Sequence, residues 1–179
     1  LVTERPFRAP HHTASRAAII GGGKEIQPGE ISLSHNGVLL LDEMPEFPRS
    51  TIEALRQPLE EGIITIARAE ENVTFPARFT LVATANPCPC GYYGTQTACT
   101  CTAAKISQYR QKISGPIADR IDIHVTVDKV DHGALLKGAQ TNRHQKAVQL
   151  IQDARKQQFE RFGTGTKLNA TMGNREVRT

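Results

Sequence analysis

The sequence predicts an α/β fold, and three observations carry that prediction. Residues 37–41 form a short apolar run that opens at Gly37 and stops at two adjacent acids, Asp42 and Glu43. A run of this length bounded in this way fits a strand buried on both faces. A second run, Phe79-Thr80-Leu81-Val82-Ala83-Thr84-Ala85, ends at Asn86-Pro87 and reads as a second buried strand. Segments with helical spacing alternate with them: Ile52, Leu55 and Leu59 in one, and Ala147, Val148, Ile151, Ala154 and Phe159 in another.

The elements follow in order along the chain. Residues 1–30, rich in Pro, Gly and basic side chains, read as a loop or insert rather than a core element, with one short helical piece near 14–20. Gly21-Gly22-Gly23-Lys24 marks a turn. Residues 51–61 read as an amphipathic helix with Ser50 as N-cap and Glu53 three residues on, ended or kinked by Pro58. Residues 63–66 and 73–75 flank a charged tip, Arg68-Ala69-Glu70-Glu71-Asn72, and predict a β-hairpin. A Cys-rich loop spans 87–102, a helix 103–113 and a third strand 121–127. The composition changes after Asp131-His132-Gly133. A long surface helix over 144–162 then runs into Gly163-Thr164-Gly165 and a polar tail.

With 39% apolar and 22% charged residues, the 179-residue chain can bury a core, which excludes global disorder. The core must be built mainly from Ile, Leu, Val and Ala, because Trp is absent and aromatics are few. A net charge of +4 permits contact with nucleic acid without demanding it. The chain opens on Leu1 with no leader pattern, and no apolar run nears the ~18 residues of a membrane span. The expectation is a cytoplasmic protein with no membrane partner, and a portion of something longer.

Chemistry concentrates at three places. Asp42 and Glu43 stand at the C-terminal end of an apolar strand, where parallel sheets bind ligands. There the first acid can hold Mg²⁺ and the second can orient and deprotonate a water, or both can simply be solvated. Asn86, also at a strand end, can hydrogen-bond a phosphate or water without adding charge, or form an ordinary Asn-Pro turn. Arg120, in Ser114-Gly115-Pro116-Ile117-Ala118-Asp119-Arg120-Ile121-Asp122, can reach a phosphate of a neighbouring subunit, or pair with Asp119 or Asp122. The acid pair, hairpin, polar strand end and strand-proximal Arg follow one another over about eighty residues.

In that order and spacing the chain resembles the AAA+ superfamily, with Asp42-Glu43 matching Walker B, Asn86 matching sensor 1 and Arg120 matching the arginine finger. Further stretches narrow the match: Phe7-Arg8-Ala9-Pro10-His11-His12-Thr13, Gly29-Glu30-Ile31-Ser32-Leu33-Ser34-His35-Asn36-Gly37, Glu53-Ala54-Leu55-Arg56-Gln57-Pro58-Leu59-Glu60 and Ser114-Gly115-Pro116. Together they resemble the magnesium-chelatase-like ComM/YifB family over nearly the whole chain. The resemblance implies a P-loop NTPase core of three α/β/α layers around a parallel sheet, lacking its N-terminal part. Residues 1–128 would form the core, 129–143 a linker and 144–179 the start of a helical lid. It implies an insert in the second helix containing or adjoining the Phe7–His12 stretch, with ATP and Mg²⁺ as cofactors. It also implies a hexameric ring that migrates branched DNA. No G-x-x-x-x-G-K-[ST] run occurs in the chain, so the Walker A loop is expected elsewhere, and this segment alone is expected to be inactive. Sensor 2 is expected beyond Thr179, although Arg175 and Arg178 lie near its region.

Four cysteines remain: Cys88-Pro89-Cys90, eight residues, then Cys99-Thr100-Cys101. Two short turns carrying four thiolates can make a tetrahedral Zn²⁺ site, although C-x-C is tighter than the usual spacing. The alternative is a loop of unliganded thiols. His11-His12 reads as a surface or DNA-proximal pair. Lys24, Arg68 and Arg78 are candidate contacts to a DNA backbone, or solvated charge. Three functions compete: a motor acting on single-stranded or branched DNA, an ATPase that remodels a protein partner, and a zinc-stabilised nucleic-acid-binding module without turnover.

Overall fold

The computed structural model describes residues 4–67, 72–113, 115–127, 142–165, 167–173 and 175–177. The chain divides into two compact units, Leu1–Val125 and Thr126–Thr179. The first holds a three-stranded parallel sheet in the order β1-β4-β7, formed by Phe7–Arg8, Val38–Leu41 and Thr80–Ala83. Phe7 pairs with Val38 and Arg8 with Leu39 on one side of β4, and Leu41 pairs with Ala83 on the other. This is the α/β class that the sequence predicts, with both predicted apolar strands in one sheet.

Residues 1–30 contribute more to the core than their composition suggests. Besides β1, they form α1 (Arg16–Ile20), the two-residue strands β2 (Gly21–Gly22) and β3 (Gln27–Pro28), and the start of α2 (Glu30–Leu33). Ser15 caps α1 by accepting a hydrogen bond from the Ala18 amide at 3.1 Å. Ile19, Ile20 and Ile31 are buried. Arg8 donates from both Nε and a terminal nitrogen to the Glu30 carboxylate at 2.5 Å, fastening β1 to α2. The stretch that read as a loop or insert is therefore an edge of the central sheet.

The core is a cluster of aliphatic side chains, among them Ile19, Ile31, Leu39, Leu41, Met44, Ile52, Leu55 and Ile64, with Phe47 as its aromatic member. β4 buries Leu39 and Leu41 fully, whereas Val38 and Leu40 are half-buried. β7 is more open than predicted. Leu81 is half-buried and Thr80, Val82 and Ala83 are exposed, because β4 is its one paired neighbour among the described residues.

A 3₁₀ turn, Met44–Glu46, follows β4, and then two helices, α3 (Arg49–Ala54) and α4 (Arg56–Glu61), stand where one was predicted. The cap is Pro48 rather than Ser50, and it makes no side-chain hydrogen bond. The break falls at Leu55 because Pro58 has no N–H to return to the carbonyl of Ala54, so Pro58 sits in the first turn of a new helix. The hairpin forms as β5 (Ile63–Ala67) and β6 (Asn72–Pro76), paired from Ile63 with Pro76 to Ala67 with Asn72. Residues 68–71 of its tip, including Arg68, lie outside the described residues.

α5 (Ala103–Gln111) is capped by Thr102, whose Oγ1 accepts from the Lys105 amide at 3.3 Å. A 3₁₀ helix, Gly115–Arg120, follows. The third predicted strand is not formed: residues 121–127 carry no regular structure. Their apolar alternation is real, but Ile123, Val125 and Val127 are 77%, 76% and 81% exposed. A strand exists only through hydrogen bonds to a neighbour, and no described strand pairs with this segment. In the second unit, α6 (Asn142–Phe162) ends at Gly163, whose left-handed φ of 64° suits a C-terminal cap, with its amide donating to the Phe159 carbonyl at 2.8 Å. The proposed 129–143 linker lies almost wholly outside the described residues, and so does Arg178.

One glycine fixes the sheet edge. A Cβ built on buried Gly37 would lie 1.9 Å from the Pro6 carbonyl oxygen, whose partner is the Val38 amide at 2.9 Å. Gly37→Ala is expected to push β1 off β4 and to cost about 2 kcal/mol or more. Thermal unfolding checks this, and an unchanged midpoint would contradict the β1–β4 pairing.

Candidate active site

The geometry grows from register. β4 and β7 run parallel with Leu41 opposite Ala83, so the next residues, Asp42 and Thr84, meet just past the strand ends. The Thr84 amide donates to the Leu41 carbonyl at 3.1 Å, and the Met44 amide donates to the Thr84 carbonyl at 2.9 Å. The Thr84 side chain joins the two acids. Its Oγ1 donates to Asp42 Oδ1 at 2.5 Å and accepts from the Glu43 amide at 2.9 Å. Asp42 and Glu43 are exposed at the C-terminal end of the sheet, as the sequence predicts for a ligand-facing pair.

Glu43 adopts φ 51° and ψ 48°, the left-handed region that residues with a Cβ rarely occupy. Backbone strain of this kind concentrates at functional sites. The conformation turns the chain out of β4 and lets Met44, fully buried, drop into the core directly after two exposed acids.

The parallel pairing of β1 with β4 has a matching consequence. Extending the register from Arg8 opposite Leu39 brings His12 level with Glu43. His12 Nδ1 lies 4.0 Å from Glu43 Oε2, its ring is tilted by 32° against that of His11 with centroids 4.1 Å apart, and it meets Phe47 edge-on at 6.3 Å. The His pair that read as surface or DNA-proximal is thus beside the acid pair.

Asn86 is exposed two residues beyond Thr84. Its backbone hydrogen-bonds the Tyr109 hydroxyl on α5, while burial, and then the nearby Glu46 carboxylate, push the Tyr109 phenol above its ordinary range. Lys112, just past α5, donates to the Pro45 carbonyl at 2.7 Å. α5 therefore braces both the Asn86 segment and the turn that follows Glu43.

Arg120 stands apart from this group. It forms an ion pair with Glu60 on α4 and donates to the Pro116 carbonyl, and its Nε is buried without a hydrogen-bond partner. The partners anticipated from sequence, Asp119 and Asp122, are not the ones it takes. Among the described residues, no ion pair joins it to Asp42 or Glu43. The basic candidates are also dispersed. Lys24 is exposed between β2 and β3, and Arg78, between β6 and β7, lays its side chain over Gly62.

The four cysteines come together. Cys88 Sγ is 3.4 Å from Cys90 Sγ and 3.7 Å from Cys99 Sγ, Cys90 and Cys99 are 3.5 Å apart, and all four sulfurs lie within 4.8 Å of one another. None is in a disulfide.

Sequence could have identified Thr84 and His12. Thr84 lies one residue beyond β7 and His12 four beyond β1, and both strands pair in parallel with β4, which ends at the acid pair. Glu60 carried no such signal, since its role depends on how the 3₁₀ helix packs on α4.

No helix among the described residues is long and apolar enough to cross a membrane. The family model for magnesium chelatase, subunit ChlI, matches residues 1–135. The chain is 45% identical over 175 residues to the competence protein ComM of Haemophilus influenzae, covering 97% of this chain and 34% of that protein. It is 45% identical over 177 residues to YifB of Escherichia coli, an uncharacterized protein, covering 98% and 34%. A shorter likeness, 30% over 98 residues, covers 55% of this chain and 11% of the DNA replication licensing factor Mcm6 of Drosophila melanogaster. The chain spans about a third of the length of the two bacterial relatives. The match over three quarters of the chain, carried through the parallel sheet and its terminal acids, makes this chain a member of the ComM/YifB group of the magnesium-chelatase-like AAA+ family.

Proposed function

We propose that this chain carries the catalytic part of an ATP-hydrolysing motor that works as a ring, hexameric in the family pattern, on single-stranded or branched DNA. The observation that carries the ATPase reading is the junction of Asp42, Glu43 and Thr84 at the C-terminal ends of adjacent parallel strands. The donor chemistry fits Mg²⁺ with a nucleotide. Asp42 offers an exposed carboxylate oriented by a hydroxyl, and Mg²⁺ is commonly held by one or two carboxylates together with substrate phosphates and waters. Asp42 would hold the ion, which when bound neutralises charge developing on the β- and γ-phosphate oxygens. Glu43 would orient the attacking water and accept its proton, with His12 alongside. Asn86, neutral and exposed, would hydrogen-bond the γ-phosphate or that water. Arg120 would serve the site of a neighbouring subunit, consistent with its lack of an ion pair to its own acid pair. Residues outside this chain would hold the phosphates.

DNA is favoured as substrate because similarity extends to a competence protein and to a DNA replication licensing factor. The β5–β6 hairpin, with Lys24 and Arg78 elsewhere on the same unit, offers basic and extended surface for a backbone. A protein partner is the second reading, favoured by the match to a magnesium chelatase subunit. The test is ATP turnover of the full-length protein with and without branched DNA. Stimulation by DNA that weakens as salt rises is expected, since backbone contacts release counterions. Turnover indifferent to DNA at every salt concentration would favour the protein partner, and the present 179 residues alone should turn over negligibly.

A further inference from the structure

We propose that Cys88, Cys90, Cys99 and Cys101 form a structural Zn²⁺ site that staples the loop between β7 and α5. This proposal stands independently of the ATPase reading. Tetrahedral zinc bound by four thiolates at about 2.3 Å places its sulfurs about 3.8 Å from one another. Cys88, Cys90 and Cys99 are separated pairwise by 3.4, 3.5 and 3.7 Å, and the Cys101 sulfur lies within 4.8 Å of them. Disulfide bonding would need about 2.05 Å between sulfurs. The spacing leaves room for one ion among the sulfurs, and a tetrahedral all-sulfur set at that size selects zinc over the harder divalent ions.

The backbone around the sulfurs is arranged for negative charge. The Tyr93 amide donates to Cys88 Sγ at 3.3 Å. Backbone groups of Tyr92 and Thr100 hydrogen-bond the Cys90 thiol. Four sulfurs this close cannot all be anionic by themselves, and a divalent cation at their centre removes the conflict. Cys88 is also fully buried, which leaves solvent no part in stabilising its charge.

Geometry also explains the tight C-x-C spacing. The Gly91 amide returns to the Cys88 carbonyl at 2.9 Å, and Gly91 takes a left-handed φ of 79°. This turn folds Cys88-Pro89-Cys90 so that both sulfurs face one centre. The second pair ends directly before Thr102, the N-cap of α5. A metal at this point closes the neck of the loop, with Asn86 two residues before Cys88 and α5 beginning two residues after Cys101. Arg110 of α5 then lies over the Tyr93 ring at 4.7 Å, a contact from the helix back to the closed loop.

The test is the metal content of full-length protein purified without chelator, with native thiols counted in parallel. About one zinc per chain is expected, with the four thiols protected from alkylation until the metal is stripped, and protected again when Zn²⁺ alone is restored. Replacing the metal with Co²⁺ should give the absorption of a tetrahedral thiolate complex. Cys88→Ser and Cys99→Ser should each lower zinc retention at least about tenfold. The wild-type result decides the matter even where these variants fail to fold. Four freely alkylated native thiols without metal, a Cys–Cys disulfide found by mass spectrometry, or stoichiometric iron in place of zinc would each overturn the proposal.

Discussion

Arg120→Ala in the full-length protein is expected to lower ATP turnover by about 10³–10⁵-fold with only modest change in nucleotide affinity, because a guanidinium that stabilises departing phosphoryl charge acts in the transition state. In this chain Arg120 is held by Glu60 and the Pro116 carbonyl rather than by the acid pair. The effect should therefore be intermolecular. Rings assembled from two inactive subunits, one lacking Arg120 and the other lacking Glu43, should regain activity. At some interfaces an intact Glu43 meets an intact Arg120 from the neighbour. No recovery in mixed rings would mean that Arg120 acts within its own subunit or only supports α4.

Glu43→Gln is expected to leave nucleotide binding largely intact while reducing turnover at least about 10²-fold, the scale of general-base catalysis. Gln keeps the size and the backbone hydrogen bond to Thr84 Oγ1, since the Glu43 amide rather than its side chain makes that bond. The loss would report proton acceptance and water orientation rather than disruption of the strand end. Single-turnover hydrolysis beside equilibrium nucleotide binding separates the two. Retained turnover would remove Glu43 from the role, and His12, 4.0 Å away, would then become the next group to replace.

What sequence revealed depended on how local the signal was. β4 and β7 were legible because an apolar run between turn residues has one sensible outcome, and the hairpin was legible because a charged tip separates two apolar arms. Residues 1–30 were misjudged since two residues of β1 are too few to show a period. Their place in the sheet comes from pairing with Val38 and Leu39, at long separation in sequence. The opposite error befell residues 121–127, where alternation was visible but no strand among the described residues pairs with the segment. In the site, the acids were apparent from their position after β4. His12 read as half of a surface or DNA-proximal pair and Thr84 was given no role, because the place of each depends on what lies across a strand boundary. The cysteines suggested zinc weakly by spacing, whereas folding brings their sulfurs together far more closely than C-x-C alone implies.

The left-handed backbone at Glu43 has a consequence for how the protein can be improved. A side chain with a Cβ costs about 1–2 kcal/mol in that conformation, and glycine removes most of this cost. Selection for thermal endurance alone would therefore drive position 43 towards Gly or Asn and away from the acid. If Glu43 is the proposed base, screens that rank variants only by melting point would enrich well-folded chains with a silenced site. On the proposed role of Glu43, stability and turnover would draw on this one residue in opposite directions, so thermostabilising efforts should leave it unchanged and take their gains from other positions.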